Sequence, residues 1–272
     1  MRGIFLERLH SKMKEDPTLF FLTADMGINL VEKFEEDFPD RYINVGIAEQ
    51  NLIGVAAGLA ESGMRPYVYT ISNFLTHRCF EQIRNDVVLH NLPVTLVGTS
   101  TGYDNGPLGP THHMLEDWGV VSNLPGIEIY APFNKSSASD IFDLVYESKK
   151  PTYIRIAKGA GIENPSKLLT RNSTEILVLS YGSASEYAIN YSIKHELDYI
   201  IIYQLGNGSF QHLDNSCISY SEILVIEDHF KHSGMYSYVS QWVNERNLSI
   251  RVKSISPTQY SLLVGGSFSD FA

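Results

Sequence analysis

Short apolar runs recur along this chain with helical patterns between them, and that alternation limits what it can fold into. LFFLT (19–23), YINV (42–45), PYVYTI (66–71) and PVTLVGT (93–99) each read as a buried strand. Near-helical spacing of Ile4, Phe5, Leu9 and Met13 before Pro17 predicts an opening helix, and further helices are expected over 47–62, 74–90 and 135–148. IEIYAP (127–132) and PTYIRIA (151–157) complete this half. Strands without polar faces, joined by crossovers long enough to be helices, are the mark of a mainly parallel sheet covered on both sides. A Gly- and Pro-rich loop, STGYDNGPLGPTHH (100–113), leaves the C-terminal end of one strand. Ligands of open α/β sheets bind at that edge.

Composition shifts at GAGIENPSKLLTRNS (159–173), which reads as a linker. The alternation then restarts with EILVLS (175–180), a helix over 184–194, YIIIYQL (199–205), EILVIED (222–228), a helix over 236–245 and LSIRVKSI (248–255). The expected fold class is therefore α/β, with two open α/β domains over 1–160 and 174–272, the second smaller. Lys and Arg number 21 against 31 Asp and Glu, a formal charge of −10, which argues against nucleic acid or an anionic membrane as the main partner. MRGIFLERLHSKMKEDP lacks the apolar core of a signal peptide, and no stretch reaches the roughly 18 apolar residues of a membrane span. A soluble, cytoplasmic protein is expected. Cys79 and Cys217 show neither CxxC nor CxxH spacing, so two buried, reduced thiols are expected and no metal site.

One helix is unusual. In YINVGIAEQNLIGVAAGLAESG (42–63) a lone carboxylate, Glu49, stands in the first turn, and Gly54, Ala56, Ala57, Gly58 and Ala60 follow. Each interior glycine costs about 1 kcal/mol against alanine. Two of them imply a packing reason, the close approach of another backbone or a flat ligand. On the residues alone, Glu49 reads either as a first-turn charge favoured by the helix dipole or as a functional acid.

VGIAEQNLIGVAAGLA resembles the corresponding segment of the thiamine-diphosphate-dependent transketolase family, including 1-deoxyxylulose-5-phosphate synthases. The likeness continues through SNFLTHRCFEQIRNDV (72–87), GPLGPTHH (106–113), LPGIEIYAP (124–132) and PTYIRIAKG (151–159), and VIEDHFKHSGMYS (225–237) is similar to the family's "EDH…GG" segment. It covers nearly the whole chain, which starts where the family's central, pyrimidine-binding domain starts. The GDG-type motif that holds Mg²⁺ and the cofactor's diphosphate is absent from the sequence. The resemblance thus implies the C-terminal subunit of a split transketolase, sharing thiamine diphosphate with an N-terminal partner chain that carries Mg²⁺, in an α2β2 heterotetramer.

The resemblance also implies roles. Glu49 would hydrogen-bond the aminopyrimidine nitrogen and exchange a proton there, so that the cofactor's imino form generates the ylide. Phe74 would stack on the ring; the bland alternative is a core residue at a helix start. His77, one turn on, stands where relatives place a Phe or Arg against the pyrimidine. His112 of the "TH" pair would reach a substrate oxygen, against a local loop role, and His113 replaces the usual Gln. Asp25 in TADMG matches an Asp near the cofactor, with a structural strand-end role equally open.

Three positions depart from the family pattern. Leu108 replaces an Asp that reads a substrate hydroxyl, Thr101 replaces an Arg of the deoxyxylulose-phosphate synthases, and Lys158 replaces an Arg that grips phosphate. Arg155 and Lys158 are expected to form an anion site for the sugar substrate. These changes point to a modified or nucleotide-linked sugar as donor or acceptor in two-carbon ketol transfer. Glu227, Asp228 and His229 read as structural, shaping a subunit interface. Two rivals remain: the β subunit of a 2-oxo acid dehydrogenase or decarboxylating acyl transferase, and a non-catalytic regulatory or scaffolding subunit. The sequence given ends with VGGSFSDFA, earlier than the resemblance implies, so a last helix of the smaller domain is expected to be missing.

Overall fold

The computed structural model describes residues 1–159, 161–162, 168–169, 175–205, 217 and 219–260. Most of the expected linker and the VGGSFSDFA terminus lie outside these residues.

The first half is built from α1 (Arg2–Met13), β1 (Leu19–Thr23), α2 (Glu32–Asp37), β2 (Tyr42–Asn44), α3 (Glu49–Glu61) and β3 (Arg65–Ile71). A helical run around α4 (Phe80–Gln82) follows, then β4 (Thr95–Thr99), α5 (Asp117–Val121), β5 (Glu128–Tyr130), α6 (Lys135–Glu147) and β6 (Thr152–Ile156). Its six-stranded sheet has the order β2-β1-β3-β4-β6-β5, and every pairing is parallel. After β2 the chain crosses β1 to continue at β3, so the order reverses between β1 and β3. The carboxyl ends of these strands flank a topological switch point, where a crevice opens.

The second half holds β7 (Leu168–Leu169), β8 (Ile176–Tyr181), α7 (Ser185–His195), β9 (Asp198–Ile202), β10 (Glu222–Ile226), α8 (Met235–Glu245) and β11 (Arg251–Ile255). The order is β11-β10-β8-β9-β7, parallel except for the antiparallel β7 edge. Both sheets bear out the α/β reading, and the strands fall where the apolar runs predict them, except β7, which lies within the stretch expected as a linker. Among the described residues, no helix is long and apolar enough to cross a membrane.

The 74–90 helix is the main departure. It forms as π-helical turns, Phe74–Arg78 and Ile83–Val88, on either side of α4. The Thr76 hydroxyl donates to the Ser72 carbonyl at 2.8 Å, and the Cys79 thiol donates to the Phe74 carbonyl at 3.4 Å. Such side-chain donors compete with the regular backbone ladder. Wide turns of this kind concentrate at functional sites.

On one face of the first sheet, Phe5, Leu9, Phe21, Tyr67 and Phe142 join α1 and α6 to the strands. On the other, a single core runs from Leu52 and Ile53 of α3 through Trp118 to Tyr181, Ile223 and Trp242, and so joins the two sheets. Trp118 is fully buried, stacked on Tyr238 at 4.8 Å and edge-on to Tyr181 at 5.0 Å. Trp118→Ala would open a cavity at this seam and is expected to lower stability by about 3–5 kcal/mol in urea denaturation. A loss below about 1 kcal/mol would show that the halves do not depend on this contact.

Candidate functional site

Four loops leave the carboxyl edge of the first sheet, after β1, β2, β3 and β4, and they carry the singled-out residues. Asn44 organises the first two: its side-chain oxygen accepts from the backbone amides of Asp25 and Gly46, each at 3.0 Å. Gly46 turns the chain through φ +73, a conformation that suits glycine, and α3 then begins at Glu49. Asp25 and Ser100, which follow β1 and β4, also sit at positive φ, 48 and 64. Strained backbone at two strand ends of one edge is a feature of binding sites.

Glu49 is only 3% exposed. Nη1 of Arg78 donates to its Oε2 at 2.6 Å, while the Arg78 side chain is 45% exposed. The same guanidinium lies over the Phe74 ring, 4.5 Å from its centroid. Gln50 donates to the Arg78 carbonyl at 3.1 Å, so the first two residues of α3 both hold the 74–78 turn. Phe74 in turn meets the His112 ring edge-on at 5.4 Å. The His112 loop is tied down by Asn73, which donates to the Thr111 carbonyl at 2.7 Å, and Thr111 Oγ1 lies 3.0 Å from His112 Nδ1. A line of contacts Glu49–Arg78–Phe74–His112 therefore joins three loops.

Arg78 is a site residue that periodicity does not reveal. It follows His77 in FLTHR, 29 positions from Glu49, and ends the wide turn that faces the carboxylate. His77 points elsewhere: it is exposed, with Nε2 4.0 Å from Glu116 Oε1. Tyr260 donates to that same carboxylate oxygen. Asp25 is exposed at the same edge but outside the Glu49–His112 line. His113 is buried edge-on against Tyr103 at 5.1 Å, and burial holds its pKa below the usual imidazole value.

Arg155 and Lys158 do not form the shared anion site expected of them. Arg155 is 1% exposed. Its Nε donates to both oxygens of Asp117 at 3.0 and 2.9 Å, Nη1 to Asp228 Oδ1 at 2.9 Å, and Nη2 to the Met114 carbonyl at 3.3 Å. Burial alone would lower its pKa, but Asp117 and Asp228 outweigh it and the value is raised. The guanidinium closes a buried network between the sheets and offers no open face to a sugar phosphate. Lys158 is exposed; its amide donates to Asp104 Oδ2 at 2.7 Å and its ammonium to Asn105. Burial lowers the Lys158 pKa against the pull of Asp104.

Glu227, Asp228 and His229 are all buried. Glu227 accepts from the Met235 and Tyr236 amides at the start of α8, at 2.7 and 3.1 Å, and from Tyr181 at 3.2 Å. Burial pushes its carboxyl up to about 8.

The surface beside this site is open in the single chain. A Cβ on Gly54 or Gly58 would meet nothing within 4 Å. Ile28, Ile47 and Leu108, on the loops after β1, β2 and β4, are 83%, 78% and 58% exposed. A buried carboxylate, a half-buried aromatic face and an apolar rim suit the ring of a flat, nitrogen-bearing heterocycle. Among the described residues there is no group of three or more His, Cys, Asp or Glu that would hold a metal ion.

A family model for the transketolase pyrimidine-binding domain matches residues 1–162. The chain is 29% identical over 268 residues to an apulose-4-phosphate transketolase subunit of Actinobacillus succinogenes, covering 93% of this chain and 86% of that one. It is 31% identical over 192 residues to a 6-deoxy-6-sulfo-D-fructose transketolase subunit of Clostridium sp., over 67% of this chain and 60% of that one. With the 1-deoxy-D-xylulose-5-phosphate synthase of Tropheryma whipplei it shares 36% over 185 residues, and 66% of this chain spans 28% of the synthase. In fold it is similar to a split-gene transketolase solved as an inactive β4 tetramer, with TM-score 0.81 and 23% identity over 99% of this chain and 92% of that one.

Asp104 supplies a pH test of the long loop. Burial pushes its carboxyl up to about 6. The folded chain thus favours the neutral acid. The stability this proton contributes is complete below the ordinary Asp value of about 3.9 and is lost as pH rises through the folded value. Asp104→Asn keeps an acceptor for the Lys158 amide and removes the titration. Thermal melts from about pH 4 to about pH 7.5 should show the variant gaining on the wild type as pH rises. Parallel curves would contradict the burial of this carboxyl.

Proposed function

The chain belongs to the thiamine-diphosphate-dependent transketolase family, whose pyrimidine-binding domain it matches over residues 1–162, and from that premise we propose that it works as the C-terminal subunit of a heteromeric ketol transferase. The observation that carries this reading is Glu49, a buried carboxylate at the first turn of α3, one guanidinium away from the face of Phe74.

When bound, thiamine diphosphate supplies an ylide carbon nucleophile and an electron sink for a two-carbon unit. The residues of this chain do the rest. Glu49 accepts or returns a proton at the aminopyrimidine nitrogen through the carboxylate oxygen that Arg78 leaves free. Phe74 gives the ring a flat partner. His112, beside Phe74, donates to an oxygen of the sugar as negative charge develops there. Asp25 stands at the same edge on the β1 loop, and His77 is turned toward Glu116, away from the Glu49–Phe74 face. The diphosphate and its Mg²⁺ belong to a partner chain, which covers the Gly54/Gly58 face and the Ile28, Ile47 and Leu108 rim in an α2β2 assembly in the cytoplasm. Two sheets support a division of the chain near 1–160 and 174–272, with β7 (Leu168–Leu169), in the stretch between, paired to the second sheet.

Two relatives are named for unusual sugars, apulose 4-phosphate and 6-deoxy-6-sulfo-D-fructose. Together with Leu108, Thr101 and Lys158 at the departing positions, those names support a modified sugar as donor or acceptor. Lys158 remains the cation available to it, acting as a point charge and not as a bidentate fork.

The test is ketol transfer by the chain assembled with a partner that carries the GDG-type motif, over a panel of phosphorylated, sulfonated and unmodified sugars. Glu49→Gln should lower kcat by about 10²–10⁴-fold. Unchanged activity in that variant would support the scaffolding alternative, and CO₂ release from pyruvate would support the 2-oxo acid dehydrogenase alternative. A strong preference for ordinary pentose phosphates would refute the modified-sugar reading.

A further inference from the structure

The loop that carries His112 is closed at a neck. Gly102 and Met114 bond to each other in both directions, amide to carbonyl, each at 2.9 Å. The neck is held from the second sheet as well as from the first. Arg155, on β6, donates through Nη2 to the Met114 carbonyl and through Nη1 to Asp228, in the turn that follows β10. The other oxygen of Asp228 accepts from the Ser183 hydroxyl, ahead of α7. A Cβ on Gly102 would fall 1.9 Å from Asp228 Oδ2, so the neck's backbone lies directly against this carboxylate. The Phe230 amide then donates to the Leu115 carbonyl at 2.8 Å, just past the neck. His112 is two residues from Met114, with its ring against Phe74.

We propose that Asp228 is a positioning residue: through Arg155 and the Gly102/Met114 neck, the second sheet holds the His112 imidazole against Phe74. The proposal deepens the reading of His112 and Phe74 as site residues and rests on it. It gives the second half of the chain a part in the reaction beyond supporting the fold.

Stability alone does not call for such a network. An apolar seam of the same volume would serve as well or better, because desolvating a buried ion pair offsets much of its attraction. What a planar guanidinium adds is direction. Its donors are fixed relative to one another, so Asp117, Asp228 and the Met114 carbonyl take up one arrangement. The side chains of Arg155 and Asp228 are 0% and 1% exposed, and water does not loosen the contact.

Hydrogen exchange and NMR on the full chain test this without any cofactor. In Asp228→Asn the amides of Gly102 and Met114 should exchange at least about tenfold faster, an opening cost of roughly 1.4 kcal/mol. The ring-to-ring nuclear Overhauser effect between Phe74 and His112 should fade. Amides inside β8 and β10 should keep their wild-type rates. Ser183→Ala, which removes one hydroxyl donor, should show the same pattern more weakly and serves if Asp228→Asn does not fold. If the second sheet speeds up together with the neck, or the Phe74–His112 signal survives in a folded variant, Asp228 has only a structural role. The reading of the ring site fails separately: a Glu49→Gln enzyme with normal activity would sink it and leave these exchange results standing.

Discussion

A carboxylate taken out of water at the start of a helix, and met there by a single guanidinium, is the contact around which this chain is arranged. Arg78 grips one oxygen and also rests on Phe74, so that an acid, a cation and an aromatic face are fixed relative to one another. The Asn44 bonds, the Gly46 turn and the wide 74–78 turn have a common consequence: they bring these groups to one edge of the sheet.

Much of this is legible in the sequence because its signals are local. Apolar runs such as LFFLT and EILVIED mark the strands, since a strand buried on both faces tolerates little else. Glu49, Phe74 and His112 stand out by motif, and the fold brings them within reach of one another. Arg78 does not, because its pairing with Glu49 spans 29 residues and no local spacing reports it. Its placement depends on hydroxyl and thiol bonds that widen the turn, and a periodicity argument does not contain them. Arg155 misleads for a related reason. An arginine on a strand reads as a surface cation until its partners are known, and Asp117 and Asp228 lie 38 and 73 residues away in sequence, the second of them beyond the other sheet's β10.

Two kinds of arginine thus divide the work. Arg78 is half exposed and held by one carboxylate oxygen. Arg155 is enclosed and holds carboxylates or carbonyls through each of its nitrogens. The first stands at the open carboxyl edge of the sheet, the second in the frame behind it. The exposed glycines of α3 and the apolar rim belong to neither; they form an open face beside the carboxylate.

The central claim is that Glu49 touches the aminopyrimidine of thiamine. A structure of the assembled complex with cofactor tests it most directly. The account predicts a carboxylate oxygen of Glu49 within hydrogen-bond reach of the ring nitrogen, about 2.6–3.2 Å, with Phe74 on the ring face. A ring bound elsewhere, or a Glu49 side chain turned to solvent, would contradict it.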